Sequence, residues 1–252
     1  MSEFFIWEGV YDHYDDVEKS GGGFDTDFWR DRNRARIVAE LDTLRNSGQL
    51  PESAKCRDYV LPVVIAMAAA GRERFRILDF GGGLGNGFVP ALCDVVSPER
   101  LDYVIVDNDR LCDAGRYLFP EAPAPIFRPD LPPDQERFDL LHLGSVLPYI
   151  SDWRGLLTRL CGYRPRHVLL SDLLAGDFPA FATAQNCFGD KIPHWFLNLG
   201  DVIGQVESQG FRLIFKAPFV GTFLGKQGPL PMDNFPPEYR LQHACHLLFE
   251  KL

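Results

Sequence analysis

Arg76-Ile77-Leu78-Asp79-Phe80-Gly81-Gly82-Gly83-Leu84-Gly85-Asn86-Gly87 reads as a strand that runs into a glycine turn and then into a helix. Glycines placed there let the backbone turn sharply and come close to a ligand, while free amides at a helix start can face polar ligand atoms. Several nucleotide-binding folds use this device, and spacing separates them. A dinucleotide fingerprint needs glycines at i, i+2 and i+5. Counted from Gly81 the third position is Asn86, from Gly83 it is Phe88, and from Gly85 it is Pro90. A phosphate-binding P-loop needs Lys and then Ser or Thr after its last glycine. Asn86-Gly87 supplies neither, and the later Gly225-Lys226 pair is followed by Gln227. The pattern that fits is acidic-x-Gly-x-Gly-x-Gly, with Asp79, Gly81, Gly83 and Gly85. A bare turn would not need so many glycines, because each one costs backbone entropy.

Outward from this loop, short apolar runs alternate with amphipathic segments, the pattern of a parallel sheet covered by helices. Seven strands are expected: Phe75 to Phe80, Tyr103 to Val106, Pro125 to Arg128, Phe138 to Leu143, His167 to Leu170, Phe211 to Lys216 and Cys245 to Glu250. Trp153, Leu156, Leu157 and Leu160 fall at i, i+3, i+4 and i+7, with Ser151 as a cap and Gly162 just past the end. Leu199, Val202, Ile203 and Val206 repeat that spacing between Asn198 and Gly210. The stretch from Ala217 to Arg240 carries Gly and Pro but no helical period, so the last two strands should pair antiparallel, since a parallel crossover normally needs a helix.

Residues 1–74 differ in kind. An aromatic-rich start is followed by Gly21-Gly22-Gly23 and a charged helix with Ile37, Leu41 and Leu44 on one face. They read as a helical cap or lid on a domain spanning 75–252.

The chain has 252 residues, 46% hydrophobic and 24% charged, which suits a folded domain with a sizeable core. A formal net charge of -9 argues against nucleic acid or an anionic membrane as partner, because both demand a basic footprint, and favours a small molecule. Cysteines at 56, 93, 112, 161, 187 and 245 form no C-x-x-C pair and read as reduced core residues of a cytoplasmic protein. Met1-Ser2-Glu3-Phe4-Phe5 lacks the basic flank and apolar run of a secretory signal, and Val60 to Ala70 is too short to span a bilayer. No metal site is expected: His243 and His246 are three apart in a strand, hence on opposite faces, and Tyr11, His13, Tyr14, Asp15 and Asp16 read as a solvated acidic turn.

The acidic-x-Gly-x-Gly-x-Gly loop resembles motif I of the class I S-adenosylmethionine methyltransferases, and Ile105-Val106-Asp107-Asn108 and Asp130 follow in the matching order. The resemblance implies a Rossmann-like seven-stranded sheet with the last strand antiparallel and helices on both faces. It implies S-adenosyl-L-methionine as methyl donor and S-adenosyl-L-homocysteine as product. By that likeness Asp79, Gly81, Gly83, Gly85, Asn108, Gly144 and Ser145 line the donor, Asp107 holds the ribose hydroxyls and Asp130 the adenine amino group. A carboxylate suits the ribose because it accepts two hydrogen bonds at once; strand-end aspartates also serve as helix caps.

A narrower likeness runs through Trp7-x-Gly9-x-Tyr11, Gly23-Phe24-Asp25, Gly144-Ser145-Val146-Leu147-Pro148-Tyr149, and Gln185 followed by Pro193-x-Trp195-Phe196. These are similar to a group of uncharacterised methyltransferase-like proteins, many encoded among bacterial surface-polysaccharide genes, and the likeness implies a sugar-related or other small acceptor methylated at oxygen. Pro148 stands where that group usually has Gln, and Ser171-Asp172-Leu173 replaces an Asp-Arg-Thr type run. The acceptor should meet the methyl group at the carboxyl ends of the fourth and fifth strands, where ligands of open α/β sheets bind. His142, Asp172 and, on a loop beyond, His194 are the candidate catalytic groups. Each has an ordinary alternative: a buried histidine bonded to backbone, a turn cap and a solvated loop histidine. Two other functions compete: a nucleotide- or nicotinamide-dependent oxidoreductase, and a non-catalytic module that binds the donor.

Overall fold

The computed structural model describes residues 4–51, 59–92, 98–187, 189–219, 221–223 and 226–252. In chain order, strand β1 (Trp7–Tyr11) leads through two 3-10 turns to helix α1 (Asp27–Ser47) and helix α2 (Val60–Ala68). Then come β2 (Phe75–Phe80), α3 (Phe88–Ala91), β3 (Leu101–Val106), α4 (Asp109–Leu118), β4 (Ile126–Arg128), β5 (Leu140–Gly144), α5 (Trp153–Cys161) and β6 (His167–Leu173). The remainder is β7 (Ala175–Gly176), β8 (Phe181–Cys187), β9 (Asp190–Asn198), α6 (Leu199–Glu207), β10 (Phe211–Phe219), β11 (Thr222–Phe223), β12 (Lys226–Gln227) and β13 (Ala244–Lys251).

All seven expected strands meet in one sheet of order β10-β13-β6-β5-β2-β3-β4. β4, β3, β2, β5 and β6 are parallel, and β13 runs antiparallel to both β6 and β10. Successive side chains of a strand point to opposite faces, and the strands use that rule to serve two cores. Ile77, Ile105, Leu140 and Leu169 pack with α1, α2 and α4 on one face. Leu78, Val104, Leu141 and Leu170 pack with α5 and α6 on the other.

Capping fixes the helix starts. Thr26 accepts from the Trp29 amide and Gly48, at φ 69°, closes α1; Ile37 and Leu41 are buried and Leu44 packs beside them. Asn198 caps α6 through the Asp201 amide. For α5 the cap is Asp152, not Ser151: the Asp152 side chain accepts from the Gly155 amide at 2.9 Å. Among the described residues between β10 and β13 there is no α-helix, only the β11–β12 hairpin and a 3-10 turn, in keeping with the antiparallel pairing.

A second sheet, of order β1-β8-β9-β7, departs from the sequence expectation. The segment read as a helical cap opens instead with a strand, because the β1 backbone pairs antiparallel with β8 (Trp7 opposite Gln185, Tyr11 opposite Ala182) and Trp7 is buried. Trp7, Phe178, Phe181, Phe196 and Phe235 form the core beneath this sheet. His194, expected on a loop, lies within β9 and is completely buried. Cys112, Cys161 and Cys245 are buried free thiols and Cys187 is half-buried; Cys56 and Cys93 lie outside the described residues.

Candidate functional site

The glycine loop leaves the carboxyl end of β2. Gly81 has φ +72°, and a Cβ there would lie 2.4 Å from Val146 Cγ2, so neither the backbone nor the space admits a side chain. Gly85, at φ +102°, adopts a conformation closed to other residues. The amides of Gly85 and Asn86 both donate to the Gly82 carbonyl, which curls the loop toward α3.

Asp107 stands where β3 ends. Its Oδ2 accepts from the Gly83 amide at 2.9 Å and its Oδ1 from the Asn108 amide at 2.8 Å. Burial raises its pKa, with these two amides pulling the other way. Asn108 itself caps α4, its side chain accepting from the Leu111 amide. Asp130 is exposed just beyond β4. Over the loop lies α1: Arg36 donates to Asn86 Oδ1 at 2.8 Å, and Arg110 donates to the Asp25 carbonyl and to Asp27 Oδ1, each at 2.9 Å.

Asp79 differs from its expected place at the ligand face. Its carboxylate is buried beneath the loop, where Oδ2 accepts from the Tyr103 hydroxyl and Oδ1 sits 2.8 Å from His142 Nδ1. The other ring nitrogen, His142 Nε2, is 2.8 Å from Ser171 Oγ. A carboxylate only accepts, so a hydrogen rides on Nδ1; a neutral ring then accepts at Nε2 from the serine. His142 is thus a buried histidine with both ring nitrogens bonded to side chains.

At the carboxyl ends of β5 and β6, Ser145 (φ 56°) and Asp172 (φ 50°) both adopt left-handed backbone. The Ser145 hydroxyl donates to Asp172 Oδ2 in a short hydrogen bond, and the Ser145 amide donates to the Ser171 carbonyl at 2.9 Å. Each such conformation costs on the order of 1–3 kcal/mol and gathers at functional sites. Beside them, the Tyr149 hydroxyl donates to Gln185 Oε1 at 2.6 Å. Burial, and then Asp172, pushes the Tyr149 pKa up. Tyr14 Oη lies within donating distance of the Tyr149 and Pro193 carbonyls, and burial pushes its pKa up to about 12. Phe24 packs edge-on against both Trp29 and Tyr149.

The structure therefore brings Gly81, Gly83, Gly85, Asp107, Gly144, Ser145 and Asp172 to one end of the large sheet, with Asp130 just beyond its edge strand. His194 is separate: its ring packs among Trp7, Tyr149 and Phe196, neither nitrogen has a hydrogen-bond partner among the described residues, and burial lowers its pKa to about 3. Tyr103, Ser171, Tyr149 and Tyr14 escaped sequence reasoning. Ser171 carried a signal as part of the run beside Asp172, Tyr149 as the end of the Gly144–Tyr149 stretch, and Tyr14 only as a member of an acidic turn; Tyr103 carried none.

No family model matches the chain, and no curated protein matches it. Solved structures do. An S-adenosylmethionine-dependent methyltransferase from Clostridium acetobutylicum matches at 12% identity and a TM-score of 0.51, over 87% of this chain and 99% of that one. A methyltransferase of the same kind from Methanosarcina mazei matches at 12% identity and 0.52, over 72% of this chain and 94% of that one. Magnesium protoporphyrin IX methyltransferase from Synechocystis with bound S-adenosylhomocysteine matches at 13% identity and 0.52, over 89% of this chain and 99% of that one. The strand order, the single antiparallel strand and these likenesses agree: the chain has the class I methyltransferase fold.

Proposed function

We propose that this protein is an S-adenosylmethionine-dependent methyltransferase acting on a small-molecule or sugar-related acceptor, methylated at oxygen, in the cytoplasm. The observation that carries the reading is the pairing of a glycine-rich loop at the end of β2 with the Asp107 carboxylate at the end of β3, tied by the Gly83 amide. The residues suit the donor: Gly81, Gly83 and Gly85 hold positive-φ backbone that lets the chain turn tightly at the end of β2, and Asp107 keeps lone pairs for ribose hydroxyls. Asn108 and Asp130 flank the adenine side and Gly144 and Ser145 the methionine side. Bound there, the donor supplies a sulfonium methyl group. The protein's task is alignment and exclusion of water, served by α1 above the loop and by Phe24, Trp29 and Tyr149 beside Ser145 and Asp172. Asp172 at the end of β6, and His142 reached through Ser171, are the groups that can take a proton from an oxygen acceptor. The lack of a third dinucleotide glycine weighs against a nicotinamide enzyme.

Calorimetry with S-adenosylhomocysteine and with NAD tests the reading. Binding of the first and not the second is expected, and the reverse would overturn it. Release of S-adenosylhomocysteine in the presence of small hydroxyl acceptors separates an enzyme from a binding module.

A further inference from the structure

We propose that Ser171 Oγ receives the proton of the methyl acceptor and hands it to His142, with Asp79 and Tyr103 holding the imidazole for that task. This rests on the methyltransferase reading. Tyr103 on β3, Asp79 on β2, His142 on β5 and Ser171 on β6 occupy four adjacent strands and one face of the sheet, because each is two residues from a side chain of the same core: Ile105, Ile77, Leu140 and Leu169. Three contacts of 2.8 Å join them into one line across the sheet.

The line has a direction. The Tyr103 hydroxyl and His142 Nδ1 both give their hydrogens to Asp79, which leaves Nε2 bare and the Ser171 hydroxyl pointing its hydrogen at it. A proton entering at Ser171 therefore moves toward a carboxylate. Asp79 is 1% exposed and His142 5%, whereas Ser171 is half-buried. Only the serine oxygen is placed to meet a ligand. Gly144, opposite Ser171 in the ladder, supplies the opening. A Cβ at 144 would lie 3.0 Å from His142 Cε1, 3.3 Å from Nε2 and 3.4 Å from Ser171 Oγ, so its absence leaves a notch over the serine–histidine bond. Ser145 and Asp172, whose side chains bond each other, follow Gly144 and Ser171 directly in the chain. His246, further along the same face on β13 beside Leu248, has its pKa lowered to about 4 by burial first and then by the charge His142 would carry. It sets no fixed positive charge against protonation of His142.

In the transfer, the acceptor oxygen bonds the methyl carbon as the carbon–sulfur bond breaks, and sulfur keeps that electron pair. The acceptor proton passes to Ser171 Oγ, the serine proton passes to His142 Nε2, and the imidazolium pairs with Asp79 until, after product leaves, the proton returns through Ser171 Oγ to water in the emptied site.

The decisive measurement needs no acceptor: 15N-histidine NMR of the wild-type protein at pH 7.5, with and without S-adenosylhomocysteine. A neutral His142 with Nδ1 protonated and Nε2 bare is expected, with Ser171→Ala moving the Nε2 resonance. An Nε2-protonated ring, or an imidazolium at that pH, overturns the relay because Nε2 could then accept nothing. Turnover with methyl glucoside and catechol adds a second arm. Ser171→Ala and His142→Gln should lose roughly 10² to 10⁴ in rate, keep donor affinity and flatten the pH profile. Full turnover in Ser171→Ala with loss in Asp172→Asn would overturn the relay and place the base at Asp172. Failure of S-adenosylhomocysteine to bind the same samples strikes the underlying reading instead.

Discussion

Asp107 accepts from two loop amides, yet each of its oxygens retains a lone pair, so one carboxylate both shapes the glycine loop and remains able to hold a ribose. Asp107→Ala should weaken S-adenosylhomocysteine binding by roughly 1.5–3 kcal/mol, the range for hydrogen bonds to a charged group. Calorimetry on the folded variant checks this, and an unchanged dissociation constant would assign the ribose elsewhere. His194 and His246 give a second prediction at this scale. Burial lowers their pKa values to about 3 and about 4, below the ordinary 6.5. The unfolded chain therefore binds protons that the folded protein refuses. Stability is full above about pH 6.5 and falls as pH drops from there toward the folded values, by up to about 1.4 kcal/mol per pH unit for each histidine. Urea melts between pH 7.5 and 5 should show this slope, and His194→Phe should make it shallower. Equal slopes in the two proteins would show that His194 already takes its proton when folded.

Among elements, the β2–α3 turn is the least tolerant of change. Gly81→Ala must place a methyl group against Val146 and hold alanine at φ +72°, at a cost of about 1–3 kcal/mol. The variant should melt lower and bind S-adenosylhomocysteine more weakly; an unaltered melting temperature would mean that the turn can relax. This turn and the large sheet are legible in sequence because β2, β3 and β5 are short, mostly apolar runs followed by or ending in Gly or Asp. The small sheet is not. Four consecutive residues of β8, Phe181 to Ala184, are buried, and Ile192, Pro193 and His194 of β9 are buried in succession, so no period of two survives in either strand. The Tyr103–Asp79–His142–Ser171 line is hidden for another reason. Its members come from four strands, and no spacing in sequence records which strands become neighbours.

For the molecule as a whole, a donor that binds only the folded state must stabilise all of it, by about 2.7 kcal/mol at a ligand concentration one hundred times its dissociation constant. Thermal unfolding should shift upward with S-adenosylhomocysteine and stay fixed with NAD; a shift with NAD alone would contradict the loop reading. The pairing of β1 with β8 has a consequence of a different kind. Trp7 lies opposite Gln185, so during synthesis the first strand leaves the ribosome long before its partner exists. At about 5–20 residues per second, the intervening chain takes roughly ten to thirty-five seconds to make. Throughout that interval the nascent protein carries an unpaired strand with an uncovered tryptophan. The small sheet must therefore close late, after the β2–β6 framework has been translated.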